Sequence, residues 1–158
     1  MRAKRAKIRE VEPDLKYKSP KVTRIINRVM FDGKKSVAQR QVYLAMDIVA
    51  EKLNKKPLDV LEEVIHIITP QMEVRSRRVG GAAYQVPMPI RGRRGMSLAV
   101  RWLVTEANKR PSKQYHSFAE KLAAEMMDAL NNAGGAVGKR DAAHRMAEAN
   151  KAFAHFRW

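Results

Sequence analysis

The chain has 158 residues, 45% of them hydrophobic, and a net charge of +16 from 32 Lys and Arg against 16 Asp and Glu. That length fits one domain, spanning 1–158, the apolar fraction excludes disorder throughout, and so large a positive excess points to a polyanion, nucleic acid before an anionic membrane. With no cysteine, disulfides and thiolate metal sites are excluded; no apolar run approaches the roughly 18 residues of a membrane span, and the basic N-terminus has no apolar segment behind it to make a secretory signal.

The charge is unevenly spread. Residues 1–35 carry twelve basic and four acidic side chains, while residues 36–71 carry four and five. Residues 72–95 carry six arginines and one acid, Glu73, and residues 96–158 carry ten basic and six acidic side chains. The near-neutral second segment suits a helical core layer, and the excess flanks it.

Taken in chain order, residues 1–18 lack helical periodicity and read as a basic arm. Residues 19–71 read as three helices. The first opens at Ser19-Pro20, an N-cap followed by proline at the first helical position. It shows Val22, Ile25, Ile26 and Val29 on one face with Lys21, Arg24 and Arg28 on an adjoining one, and it stops at Asp32-Gly33. The second begins near Ser36, with Val37, Leu44, Ala45, Ile48, Val49 and Leu53 as its apolar residues. Asn54 and Pro57 separate it from the third, whose stripe is Leu58, Leu61, Val64, Ile65 and Ile68, closed by Pro70. His66 reads as a core or boundary residue on the apolar side of that helix.

Period-two alternation then replaces the helical period on both sides of Gly80-Gly81. This predicts a β-hairpin over 72–91. Pro87 and Pro89 restrict the return strand to an edge. No other segment reads as a strand, so an isolated ribbon projecting from helices is expected, marginally stable by itself. Residues 95–153 read as three more helices: one over about 96–108, one capped by Ser117 with Glu120, and, after the loop NNAGGAVGK, one over about 141–153. Residues 154–158 form a tail. The fold class is mainly α, a bundle of about six helices with one projecting hairpin between the third and fourth.

Little in the sequence supports catalysis. His66, His116, His144 and His155 show neither HExxH nor paired-carboxylate spacing. DGKKS at 32–36 and GGAVGKR at 134–140 both miss the P-loop pattern; the second has Arg140 where a hydroxyl is needed and no strand before it. No metal, cofactor or enzymatic activity is expected. The arginines are the stronger signal. Solvating faces mix signs, whereas Arg75, Arg77, Arg78, Arg91, Arg93 and Arg94 have only Glu73 for company. Arginine's planar fork grips phosphate bidentately and stacks on bases. Tyr84 could stack on a base or, more in keeping with its alternation, on the ribbon's own apolar face.

The motifs VRSRRVGGAAYQVP at 74–87, SLAVRWL at 97–103, HRMAEANKAFAHFRW at 144–158 and DGKK at 32–35 resemble, over essentially the whole chain, the family of small-subunit ribosomal protein seven in its bacterial form. The resemblance implies a cytoplasmic, ribosome-bound primary binder of 16S rRNA that nucleates assembly of the subunit head. It implies a place at the subunit interface near the exit-site tRNA and the mRNA exit path. Small-subunit proteins nine and eleven would be neighbours, and some members also bind their own mRNA. Carried onto this sequence, it implies rRNA contacts at Arg2, Lys4, Arg5 and Lys7 of the arm, Lys21, Arg24 and Arg28 of the first helix, and Lys34 and Lys35. It extends them to Arg75, Arg77, Arg78, Arg91, Arg93 and Arg94 around the ribbon and to Arg101, Lys113, Lys139, Arg140 and Arg145 beyond it. The ribbon tip, Arg78, Val79, Gly80, Gly81, Ala82, Ala83 and Tyr84, would lie near tRNA and mRNA, as would Arg157 and Trp158. An architectural DNA-binding protein with a β-ribbon arm is the alternative. Such arms wedge an apolar residue between base steps, for which Gly80-Gly81 is poorly suited.

Overall fold

The structure, a computed structural model, describes residues 9–156. Its elements run α1 (Pro20–Val29), α2 (Lys35–Leu53), α3 (Pro57–Ile68), β1 (Met72–Val79), β2 (Ala82–Pro89), α4 (Arg93–Lys109), α5 (Phe118–Leu130) and α6 (Gly134–Ala149), closed by a 3₁₀-helix at Lys151–Phe156. The expected class is therefore observed: a helical bundle with a two-stranded antiparallel hairpin between α3 and α4.

Helix α5 lies against α2, α3, α4 and α6, and the core gathers around it. Ile25 and Ile26 of α1, Met46 of α2, Leu61 and Ile68 of α3, Leu103 of α4 and Leu122 and Met126 of α5 are each almost wholly buried. Each such side chain contributes about 1.5–3 kcal/mol of transfer free energy. Proline sets the first turn of α1 and α3. Asn54 ends α2 in the left-handed region at φ 51°. Ser117 caps α5 as expected, its Oγ accepting from the Glu120 N–H at 3.2 Å while Glu120 Oε2 accepts from the His116 N–H at 2.9 Å. Ser19 caps through position alone; its side chain makes no capping hydrogen bond.

The end of the basic arm is anchored. Asp14 is buried and accepts hydrogen bonds from the Lys16 and Tyr17 N–H groups and from the Tyr43 hydroxyl at 2.7 Å. Asp47 accepts from the Tyr17 hydroxyl at 2.9 Å and from Lys16 Nζ at 3.0 Å. Burial pushes both tyrosine hydroxyls up, so they remain donors.

Several expectations are corrected. On α2, Val37, Leu44 and Leu53 are exposed, and Ala38, Val42 and Met46 take the core positions instead. The helix is apolar on more than one face, so composition alone did not fix which face turns inward. His66 is exposed: with Leu61, Val64, Ile65 and Ile68 inward, its 100° steps carry it to the solvent side. The last helix begins at Gly134 rather than near Asp141, and it ends at Ala149, with residues 151–156 winding as 3₁₀. Helix α4 likewise starts at Arg93, inside the predicted linker.

The ribbon is also less isolated than expected. Gly80 and Gly81, at φ 58° and 90°, make the two-residue turn that requires positive φ at both positions. Register runs from Met72 opposite Pro89 to Val79 opposite Ala82. Strand β1 lies against α6 and strand β2 against the 3₁₀-helix. Val86 is fully buried, and the Tyr84 ring sits 5.4 Å from Phe153 and 5.1 Å from Phe156.

Candidate nucleic-acid interface

Helices α1 and α4 lie side by side. Burial of Val22, Ile25, Ile26 and Val29 turns the basic face of α1 toward solvent. Arg24 and Arg28 from α1 and Arg101 from α4 line a cleft of about 360 Å³ with Asn27, Met96, Ser97 and Val100. Among the described residues no acid lines this cleft. Arg24 is steadied by Nη1 at 3.2 Å from Met96 Sδ, which leaves its guanidinium charge uncompensated by any carboxylate there. Arg28 and Arg101 are exposed. Lys21 stands apart, its Nζ 2.7 Å from Glu62 Oε1 on α3. Lys34 and Lys35 are exposed at the start of α2; Lys34 lies 4.0 Å from Asp32, with both side chains largely in water. So loose a pair contributes little, and the two lysines remain available to an anion.

At the root of the ribbon Glu73 works as a clamp. Its side chain is only 12% exposed and receives Arg94 Nε at 3.0 Å and Arg75 Nη2 at 2.5 Å. Burial pushes its carboxyl up, but the hydrogen bonds from Arg75 and Arg94 outweigh that and hold it below the usual carboxylate range. The lone acid of the stretch therefore fixes the start of β1 to the first turn of α4. Arg91 and Arg93 are exposed beside it, around Gly92 at φ 59°. Helix α4 has no acid in its first turn, so the arginines add to the positive end of its dipole and favour an anion. Farther out, Arg77 stands opposite Tyr84 and Arg78 opposite Ala83. Arg78, Gly80, Gly81, Ala82 and Ala83 are exposed, and Val79 is half-buried. The Tyr84 ring is committed to Phe153 and Phe156. That partner lies off the ribbon itself, on the 3₁₀-helix that follows α6. Nothing in the local spacing around Tyr84 signals it, though the aromatic spacing of AFAHF at 152–156 offered a hint.

In the C-terminal third Lys113, Lys139 and Arg145 are exposed. Arg140 is spent internally: its Nη1 donates to the Ile67 carbonyl at 2.8 Å, and its Nε donates to Asp141 at 2.8 Å. Sequence reading passed over Arg110, Glu125 and Asp128. Arg110 Nε donates to Glu125 Oε2 at 2.9 Å, and its Nη2 also reaches Asp128. Glu125 Oε1 accepts the buried Ala136 N–H at 2.8 Å. Burial alone would lower Arg110, yet the two carboxylates raise it above its ordinary value. This triad serves the scaffold. Arg2, Lys4, Arg5, Lys7, Arg157 and Trp158 lie outside the described residues. Among the described residues no three His, Cys, Asp or Glu side chains stand together as metal ligands, and no helix is long and apolar enough to cross a membrane.

What the surface offers is outward-facing cations on helices and a thin arginine-bearing ribbon, an arrangement whose charge and geometry suit phosphate groups. The profile of the family described as ribosomal protein S7p/S5e matches residues 1–151. The chain is 57% identical over 150 residues to the small ribosomal subunit protein uS7 of Thermoanaerobacter sp. (strain X514), covering 95% of this chain and 94% of that one. It is 56% identical over 150 residues to the protein of the same name from Dictyoglomus turgidum (strain DSM 6724 / Z-1310), with the same coverage. It is 53% identical over 158 residues to that of Thermosipho melanesiensis (strain DSM 12029 / CIP 104789 / BI429), with both chains covered in full. The chain belongs to the ribosomal protein S7p/S5e family.

Proposed function

We propose that this protein is a primary 16S rRNA-binding constituent of the small ribosomal subunit that nucleates folding of the head, with its ribbon tip near the exit-site tRNA and the mRNA exit path. Membership of a ribosomal protein family makes it a ribosomal component and not an enzyme. Small-subunit proteins nine and eleven are its expected neighbours in that setting.

The observation that carries the RNA reading is the acid-free cleft in which Arg24, Arg28 and Arg101 converge from two helices. Phosphate binding supplies most of the affinity of such interfaces, and folded RNA is read mainly by shape, phosphate and 2′-hydroxyl contacts. Three arginines held by a packed helix pair suit that requirement, and the ribbon adds reach into gaps that helices are too wide to enter. Charge reversal at Arg24, Arg28 and Arg101 should weaken binding to small-subunit rRNA by about two orders of magnitude or more while the helical circular-dichroism signal is retained. Hydroxyl-radical footprinting should map the protected nucleotides to the head domain of the rRNA. Duplex DNA that competes as well as folded rRNA would instead support the architectural DNA-binding alternative.

A further inference from the structure

Phe31, in the turn between α1 and α2, is 70% exposed, and Val37 one turn into α2 is 55% exposed. Between them opens a cleft of about 230 Å³, walled by Val29, Phe31, Val37, Ala38 and Phe118 and edged by Lys34, Gln41 and Asn108. It shares no residue with the arginine cleft between α1 and α4. Scattered exposed apolar side chains need no explanation, but two aromatic and several aliphatic side chains in one depression form a contiguous patch, and such patches mark binding sites. The polar edge says for what. Gln41 Oε1 accepts the Ala119 N–H at 3.0 Å, which fixes the side chain and leaves its amide N–H groups as donors. The Asn108 side chain has no hydrogen-bond partner among the described residues. Among the described residues Lys34 is the one charged residue of the lining, and Lys35 follows it, exposed, at the start of α2.

An exposed aromatic face, two amides able to meet a hydrogen-bonding edge and a cation at the mouth match three parts of one ligand: a base, its edge and its phosphate. We propose that the cleft takes a single unpaired base of an RNA strand. The base stacks on Phe31 with its edge toward Asn108 and Gln41, and its phosphate lies at Lys34 and Lys35. An apolar anchor from a protein partner would fill the same walls but would leave the lysine and the amides without a complement. Unstacked bases held on aromatic side chains are the usual means by which proteins grip single-stranded RNA. This inference rests on the rRNA-binding reading and deepens it, because the lysine pair becomes part of a nucleotide pocket instead of a diffuse charge.

The experiment compares the full chain with Phe31→Ala, Phe31→Leu, Phe31→Trp and Lys34→Ala/Lys35→Ala in binding to head-domain small-subunit rRNA across a salt series. Phe31 is exposed enough for each variant to keep the fold, and circular dichroism checks this. Loss of one stacked base lowers affinity about 5- to 150-fold. We expect Phe31→Ala and Phe31→Leu to lose affinity in that range with an unchanged salt slope, and Phe31→Trp to match the parent. The double lysine variant, which gives up the one phosphate of that nucleotide, should flatten the slope by about 0.7–0.9. Ultraviolet irradiation of the parent complex should cross-link the peptide containing Phe31 to a nucleotide. Parental affinity in Phe31→Ala, or a Phe31→Leu variant as good as Phe31→Trp, overturns the stacked base, and an apolar protein anchor then becomes the better occupant. Failure of the parent chain to bind the rRNA at all overturns the functional reading as well.

Discussion

Glu125 is 2% exposed and holds two elements at once, Arg110 at the end of α4 through Oε2 and the N-terminus of α6 through Oε1. Helix α6 brings no acid of its own to its first turn, so a carboxylate from α5 satisfies one of its free N–H groups and complements its dipole. Removing one partner of a buried ion pair costs about 3–5 kcal/mol. Because Arg110 is itself 16% exposed and keeps Asp128, Glu125→Ala should fall at the lower end, near 3 kcal/mol, in urea unfolding. The neighbouring glycines separate two explanations of the GGAVG sequence. Gly134 has φ +88°, and an added Cβ would lie 3.0 Å from Glu125 Oε1; at Gly138 an added Cβ meets nothing within 4 Å. Gly134→Ala should therefore cost about 1–3 kcal/mol, whereas Gly138→Ala, inside an open helical turn, should stabilise by about 0.5–1 kcal/mol. Equal effects at the two positions would show that the close approach of α5 is not what requires glycine. None of this was legible in the sequence: Arg110 and Glu125 are separated by a loop, and three glycines within five residues signal a loop more strongly than a helix start.

At the scale of the element, the ribbon shows where sequence reading succeeds and where it stops. Period-two alternation, Gly80-Gly81 and the strand prolines are local signals, and they yielded the hairpin and its turn. Its support is non-local, since Phe153 and Phe156 approach Tyr84 from the far end of the chain and no spacing rule joins segments that distant. Tyr84→Ala, or Phe153→Ala with Phe156→Ala, should therefore free the ribbon while the core keeps its thermal midpoint within a few degrees. Hydrogen exchange reads the difference: protection should drop across Val74–Val79 and Ala82–Val86 and persist in α2 and α5. Loss of protection throughout would mean that the ribbon belongs to the cooperative core. Glu73 gives the root a pH dependence. Its carboxyl is held low, so its contribution is complete above the pH at which a free glutamate titrates, 4.5, and is lost as pH falls through the lowered value. Arg75 and Arg94 are about half exposed, which limits the effect to about 1 kcal/mol. Exchange protection factors at the ribbon root should fall toward those of Glu73→Gln in acid and exceed them near neutrality. A parent and variant that agree at neutral pH would remove the clamp.

At the scale of the whole molecule, the helical bundle was legible because the buried stripes of α1 and α3 follow the helical period, and the partner class was legible because the positive charge is in large excess where it clusters, with six arginines to one acid over 72–95. What composition could not give is which cations face outward together. Lys21 pairs with Glu62 and Arg140 with the Ile67 carbonyl and Asp141, whereas Arg24, Arg28 and Arg101 share a cleft without an acid. This ranking predicts how salt should act. Each phosphate neutralised contributes about −0.9 to the slope of log affinity against log salt in B-DNA and about −0.7 in single strands. If about six to ten phosphates are engaged, affinity should fall by about three to five orders of magnitude between about 50 and 200 mM salt. Neutralising a cation flattens that slope only if the cation meets a phosphate. Arg24→Ala, Arg28→Ala and Arg101→Ala should each flatten it by about one. Arg140→Ala should leave it unchanged and instead lower stability, because the last turn of α3 loses a donor to its carbonyl. Filter binding across the salt series, paired with urea unfolding, separates the two groups. A flatter slope for Arg140→Ala with unchanged stability would mean that its guanidinium leaves the Ile67 carbonyl for the RNA, and internal hydrogen bonding would then no longer distinguish scaffold from interface in this protein.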